Sequence, residues 1–296
     1  MKNIYLITLF LGLSTGIAGQ SVSPDVLTSS GGYDESPNAS LSWSLGEPST
    51  ETFNAGGIIL TQGFQQPIII SITGIDLEMF AFLEGPFNGM NMNTSLTGLS
   101  DFPLLQPYSL SPWNYPGTEQ VITIPAGVVD WILVELRDAP SAVSATAATV
   151  IARQAAFLMN DGSIKNLDGT GNQQFDNLTI QHSLFAVIYH RNHLAVMSAN
   201  PLTEIGGVYS YDFTSPSGQA YNDGQKEITA GIWGMYAGDA NASGLIDITD
   251  KDIVWESQSG RKGYMGGDMD MNTQTDNRDK NDFWIPNIGT ESQVPE

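Results

Sequence analysis

The chain has 296 residues, 32 of them acidic and 11 basic, for a formal charge of −21 at pH 7. Such a field repels nucleic acid and anionic lipid and attracts cations, so polyanion binding is excluded as the main activity. Apolar residues make up 41% and charged residues only 15%, enough for a packed core, and the lack of cysteine excludes disulfides, thiol chemistry and cysteine-borne lipid anchors.

The N-terminus, MKNIYLITLFLGLSTGIAGQ, carries Lys2, an apolar run from Ile4 to Leu13 and small residues up to Gly19. That pattern predicts a secretory signal over residues 1–19, too short to span a bilayer, with cleavage near Ala18 or Gly19. No later stretch approaches 18 apolar residues. The expected mature protein is therefore secreted or held at the cell surface, with no transmembrane segment. From 20 to 72, short alternating runs such as SLSWSL and IILTQGF stand between Gly, Pro and Asn clusters, which predicts a small N-terminal β module. PIIISITGI (67–75) reads as its link to the next region.

Residues 73–236 continue the same grammar with longer strands, among them VVDWILVELRD, TVIARQAAFLMNDGSI, SLFAVIYHRNHLAVMSA and GVYSYDF. NDG and RN are expected to be tight hairpin turns. Helical periodicity is absent apart from an ambiguous Ala-rich piece, SAVSATAATVIARQAA. The fold class expected is mainly β, an antiparallel β-sandwich with each strand burying one face. Three candidate sites in this region read as structural. His190 and His193 flank a two-residue turn with no acidic residue in the motif to complete a zinc set, so hairpin packing is expected. Glu135 and Asp138, three residues apart on a strand, face opposite ways and make a poor glycosidase pair. Tyr108, Trp113 and Tyr115 lie in a proline-rich loop where aromatic faces could stack on sugar rings, with core covering the better reading.

The C-terminal region 237–296 carries the strongest pattern. Counting Asp239 as position 1, Asn241 falls at 3, Ser243 at 5, Gly244 at 6, Leu245 at 7, Ile246 at 8, Asp247 at 9 and Asp250 at 12. Calcium takes six to eight hard oxygens, which alternate side chains of a turning loop can supply, with glycine at the sharp turn and a main-chain carbonyl from position 7. The pattern recurs 29 residues on: GDMDMNTQTDNRDKNDFW aligns with GDANASGLIDITDKDIVW without a gap, and six of eight aligned positions are identical. The expected ligands of the second loop are Asp268, Asp270, Asn272, Gln274 through its carbonyl, Asp276 and Asp279. Thr273 stands where glycine is expected and Thr275 where the aliphatic anchor is expected, but this loop holds four carboxylates against three in the first. Only the segments leaving the loops read as helical.

Two such loop-plus-helix units with Asp at position 12 resemble a dockerin, the calcium-dependent module that docks onto cohesins in polysaccharide-degrading assemblies. SLSWSLGEPSTETF, LTQGFQQP, QPYSLSPWNYPGTE, IPAGVVDWILVELRD and HRNHLAVMSANPL resemble secreted and surface β-sandwich proteins of Bacteroidetes type that end in such a doublet, although no C-terminal sorting domain is read after NIGTESQVPE. The resemblance implies a small α C-terminal module with two Ca2+ sites and a cohesin-like protein or a glycan as partner. No nucleophile–base set, phosphate loop or catalytic metal triad appears in the sequence. The function expected is therefore non-enzymatic binding or adhesion, and the alternative is a component of polysaccharide degradation.

Overall fold

A computed structural model describes residues 30–36, 39–45, 53–55, 58–60 and 71–296, with side chains from Gly74 onward. The expected signal segment 1–19 lies outside the described residues. By contacts the chain divides into two compact units, one ending at Ile68 and one running from Ile69 to Glu296. In the first, β1 (Ser30–Ser36) pairs antiparallel with β2 (Ala39–Leu45), and β3 (Phe53–Ala55) with β4 (Ile58–Leu60).

The second unit is mainly β. Its strands are β5 (Ser71–Phe80), β6 (Val128–Ala139), β7 (Val150–Met159), β8 (Ile164–Lys165), β9 (Gln173–Thr179), β10 (Ser183–Tyr189), β11 (Val196–Met197), β12 (Thr203–Ile205), β13 (Val208–Asp212), β14 (Lys226–Thr229) and β15 (Ile232–Gly234). One sheet runs β11-β10-β6-β7-β8, a second β12-β13-β5-β9, and β14-β15 form a hairpin. Within this unit every ladder is antiparallel except β13 against β5, which is parallel. Of the stretch 67–75, read as a link, residues 67–70 lie outside the described residues and 71–75 instead form the start of β5, an inner strand of the second sheet. Its Ile75, Leu77 and Met79 alternate into the core, which is the period of a strand with one buried face.

Both sheets contribute side chains to one apolar cluster. Ile75 and Leu77 from β5, Ile132 and Val134 from β6, Leu158 from β7 and Phe175 from β9 all belong to it. Trp131, fully buried, packs on Phe157 with ring centroids 4.3 Å apart and donates from its indole N–H to the carbonyl of Pro103 at 2.9 Å. The Ala-rich stretch is not a helix: Ala142–Ser144 and Ala147–Thr149 are single turns that lead straight into β7. β-branched and aromatic residues downstream pair into a sheet, and packing overrides the helix propensity of alanine.

β6 is buried along almost its whole length, including Glu135 and Arg137. A strand covered on both sides loses the alternation of a half-exposed one. Glu135 accepts from Arg137 Nε at 2.7 Å and from Arg153 Nε at 2.5 Å, so its charge is matched where water is excluded. Asp138 accepts from the backbone N–H groups of Gln181 and His182 at 2.7 and 2.8 Å. The two carboxylates serve different partners.

The candidate cation-binding loops

The two C-terminal loops fold on the same hydrogen-bond plan. In the first, Asp239 accepts from the N–H of Ser243 (2.8 Å) and of Gly244 (3.0 Å), and Asn241 Oδ1 accepts from Ser243 (2.9 Å). Asp250 reaches back from the next helical segment to accept from Asn241 (3.1 Å) and Asp247 (2.8 Å). In the second, Asp268 accepts from Asn272 (3.0 Å) and Thr273 (2.9 Å), and Asp270 from Asn272 (3.1 Å). Asp279 accepts from Met269 (2.7 Å), Asp270 (3.0 Å) and Asp276 (2.7 Å). The side-chain oxygens at positions 1, 3 and 12 are thus aimed inward by main-chain donors of their own loop. Each oxygen keeps lone pairs for a further partner.

The backbone repeats as closely. Ala242 and Met271 have φ of 55° and 57°, and Gly244 and Thr273 have 85° and 88°. At Thr273 a side chain occupies the left-handed conformation that glycine takes freely, a cost of about 1 kcal/mol that the second loop bears to keep the same course. Ile246 is the buried anchor expected at position 8 and exchanges backbone bonds with Gly289 and Thr290. Thr275, its counterpart, is equally buried, and its hydroxyl has no partner. Leu245 presents its carbonyl to the Ser243 hydroxyl at 3.1 Å, and Gln274 donates its N–H to Asn272 Oδ1 at 3.0 Å.

Helical segments leave both loops: Asp250–Trp255, wide-turned and continuing as Glu256–Gln258, and Asp279–Trp284, continuing as Ile285–Asn287. Each delivers a tryptophan to the opposite loop. Trp255 donates to the carbonyl of Asp276 at 2.7 Å, and Trp284 donates to the carbonyl of Asp247 at 2.9 Å. With Ile246, Met269 and Leu194 the two rings form a small apolar core between the loops.

In the second loop, oxygens of Asp268, Asp270 and Asp279 lie within 4.8 Å of one another, a buried group that could hold a metal ion. In the first, Asn241 replaces the carboxylate at position 3 by a neutral carbonyl oxygen. Burial, opposed by the Gly244 and Ser243 N–H groups and aided by Asp250, pushes Asp239 up to about 7. Burial likewise pushes Asp268 up to about 7, with Arg191 opposing and Asp279 and Asp270 adding, and pushes Asp279 up to about 6. Asp270 and Asp250 are raised by the same cause. Asp247, half-buried at position 9, is lowered by the Thr249 hydroxyl and N–H. Arg191 and Arg278, the latter 3.4 Å from Asp270, offset only part of this crowding of carboxylates, and a site of oxygen donors alone suits a hard cation.

What ties the second loop to the sheets was missed in the sequence. Tyr189 and Val196 are joined by residues 190–195, where two-residue turn chemistry was expected. Leu194 N–H bonds the carbonyl of Tyr236 instead, and His193 bridges Ala237. The buried rings of His190 and His193 do face each other, with Nδ1 atoms 3.1 Å apart. The acid absent from the motif comes from β6: Asp130 meets His190 Nε2 at 3.2 Å, Arg191 Nε at 2.9 Å and the Tyr264 hydroxyl at 2.7 Å. Burial works against the charge on Asp130, but Arg191 and His190 hold its carboxyl below the usual range, and burial keeps both imidazoles neutral. Asn192 then donates to the carbonyls of Gly266 (3.1 Å) and Asp268 (2.8 Å), and Arg191 to that of Met265. Gly85 lies so close that a Cβ there would stand 1.8 Å from the Met269 carbonyl.

Of the loop aromatics, Tyr108 is buried and donates to the Trp131 carbonyl at 2.7 Å, and Tyr115 is buried against Glu119. Trp113 alone stays partly open. With Arg153, Tyr189 and the first loop at Ser243–Leu245 it lines a cleft of about 630 Å³. No family model, curated protein or solved structure matches this chain. Among the described residues no helix is long and apolar enough to cross a membrane.

Proposed function

We propose that the chain is an exported, non-enzymatic surface or extracellular binding protein whose C-terminal loop pair takes two structural calcium ions. The observation that carries this reading is the repetition of one hydrogen-bond plan in two loops 29 residues apart, each with buried inward carboxylates. A solvated acidic loop has no reason to repeat main-chain geometry down to its positive-φ positions. Asp239, Asn241, Ser243, Asp247 and Asp250 with the Leu245 carbonyl would hold one ion. Asp268, Asp270, Asn272, Asp276 and Asp279 with the Gln274 carbonyl would hold the other. In this reading the two sheets are the layers of a β-sandwich, the loop pair is a dockerin-like module, and export rests on the N-terminal pattern.

The second reading, a part in polysaccharide degradation through a cohesin-like partner or through glycan binding, is favoured by the cleft at Trp113. Its volume falls in the range of small-ligand sites, and an indole beside a guanidinium suits a sugar ring. A glycan array and a cohesin panel, each run with calcium and with chelator, separate the two. Glycan capture lost in Trp113→Ala supports the second reading. Turnover of a polysaccharide by the pure chain would overturn the non-enzymatic one.

A pH dependence follows from the buried carboxyls. A carboxyl whose folded pKa lies above its unfolded value of about 4 holds its proton more tightly in the folded chain. Its stabilisation of the ion-free fold is complete below that value and is lost as pH rises through 6 to 7, where Asp279, Asp239 and Asp268 ionise. The ion-free protein should therefore be more stable at pH 5 than at pH 8. Calcium, which needs the ionised form, should bind more weakly as pH falls and should release protons on binding near pH 6. Calorimetric titration in buffers of different ionisation enthalpy measures that release, and none at pH 6 would contradict the assignment.

A further inference from the structure

Away from the loop ligands, three side chains from distant parts of the chain close a triangle. Lys226, on β14, places Nζ 2.8 Å from Asn287 Oδ1 and in an ion pair with Glu84 Oε1. The other Glu84 oxygen, Oε2, accepts from Asn287 Nδ2 at 2.6 Å. The geometry points to an intramolecular isopeptide bond between Lys226 and Asn287, formed without any other reactant and with Glu84 as the proton carrier.

Every part that such a reaction needs is present. Asn287 is buried, and its carboxamide is pinned from a third direction, donating to the carbonyl of Ala237 at 2.8 Å. Glu84 is nearly buried and is itself fixed by the N–H of Ala237 at 3.0 Å. The Tyr236 ring lies 6.0 Å from Nζ, and the Lys226 side chain is half-buried. The Lys226–Glu84 ion pair is the path by which one proton passes from the ammonium to the carboxylate, leaving the neutral amine that acts as nucleophile and a neutral acid. The Nζ lone pair then attacks Cγ of Asn287. A C–N bond forms, and the carbonyl π electrons move onto Oδ1. Glu84 hands its proton to Nδ2 and takes one back from the attacking nitrogen. Collapse restores the carbonyl and expels ammonia. Amine plus carboxamide becomes secondary amide plus ammonia, with no change of oxidation state.

The bond would join residues 61 apart and close a covalent ring around both cation loops. A cross-link of that span acts as a disulfide does, by removing open conformations of the unfolded chain, in a protein that has no cysteine to make one.

Mass spectrometry of the purified full-length chain decides the question. The expected result is a mass lower than the sequence by one ammonia, about 17 Da, with trypsin failing to cut at Lys226 and a branched peptide containing both residues. Glu84→Gln should restore the full mass and release the two linear peptides, and its unfolding midpoint should fall by roughly 10 °C. Lys226→Arg, which keeps the positive charge, should also show the full mass. A wild-type chain at full sequence mass, with Lys226 and Asn287 both recovered in unmodified linear peptides, would overturn the proposal. A branched peptide that persists in Glu84→Gln would overturn the part given to Glu84.

Discussion

Calcium added to the ion-free protein is expected to raise its unfolding free energy by about 5 kcal/mol, roughly 2.7 for each of two sites at a hundredfold excess over Kd. The size follows from selective binding to the folded chain, because the unfolded chain does not converge the ligands. Asp250→Ala should remove the first site and Asp279→Ala the second. Each of these carboxylates crosses its loop to accept main-chain N–H groups as well as to face the ion position. Either substitution should halve the calcium stoichiometry and remove about half of the stabilisation. The reciprocal tryptophan bonds add a second expectation: emptying one loop should reduce hydrogen-exchange protection in the other, since Trp255 and Trp284 each lean on the opposite loop's carbonyl. Titration calorimetry with hydrogen exchange checks both. No uptake, or unchanged protection across 239–250 and 268–279, would remove the calcium reading.

Asp130→Ala should destabilise the second unit by about 3–5 kcal/mol, the cost of leaving a buried cation without its partner. Arg191 is buried and pairs with Asp130 through Nε, and its Nη2 already has no acceptor. Losing Asp130 would also free the Tyr264 hydroxyl and one edge of His190. Arg191 and Asn192 hold the backbone at 265–268, so the loss should reach the second loop before the first. Chemical denaturation is the measure of stability, and calcium titration of the variant gives the order of loss. Equal weakening of both loops would argue against Asp130 as the anchor of the second. Asp130→Asn, which keeps the shape and one acceptor oxygen but not the charge, should fall between wild type and alanine.

Residues at short range were legible from the sequence. The loop carboxylates could be placed because their spacing is itself the chemistry: alternate positions of one turning segment meet at one point, and a repeat at 29 residues carries the same geometry twice. Strands such as β6 and β7 were legible from apolar runs bounded by turn residues. The parallel neighbour of β5 was not, because pairing direction depends on which strands meet, and a period-2 pattern reads the same either way. HRNH looked like a simple hairpin because its sequence cannot show that Asp130, 61 residues before Arg191, lies beneath it. Nothing local to Glu135 shows that it is buried, since part of what covers its end of β6 comes from the far end of the chain: Pro295 accepts from the same Arg137 that pairs with Glu135. Glu84 and Asn287 stand 203 residues apart and carry no local pattern at all. The sequence by itself determined which segments would be strands and where oxygens would gather, because propensity and ligand spacing act over a few residues. The tertiary structure alone decided which buried charges found partners, because burial makes an unpaired charge costly and the matching group can come from anywhere in the chain.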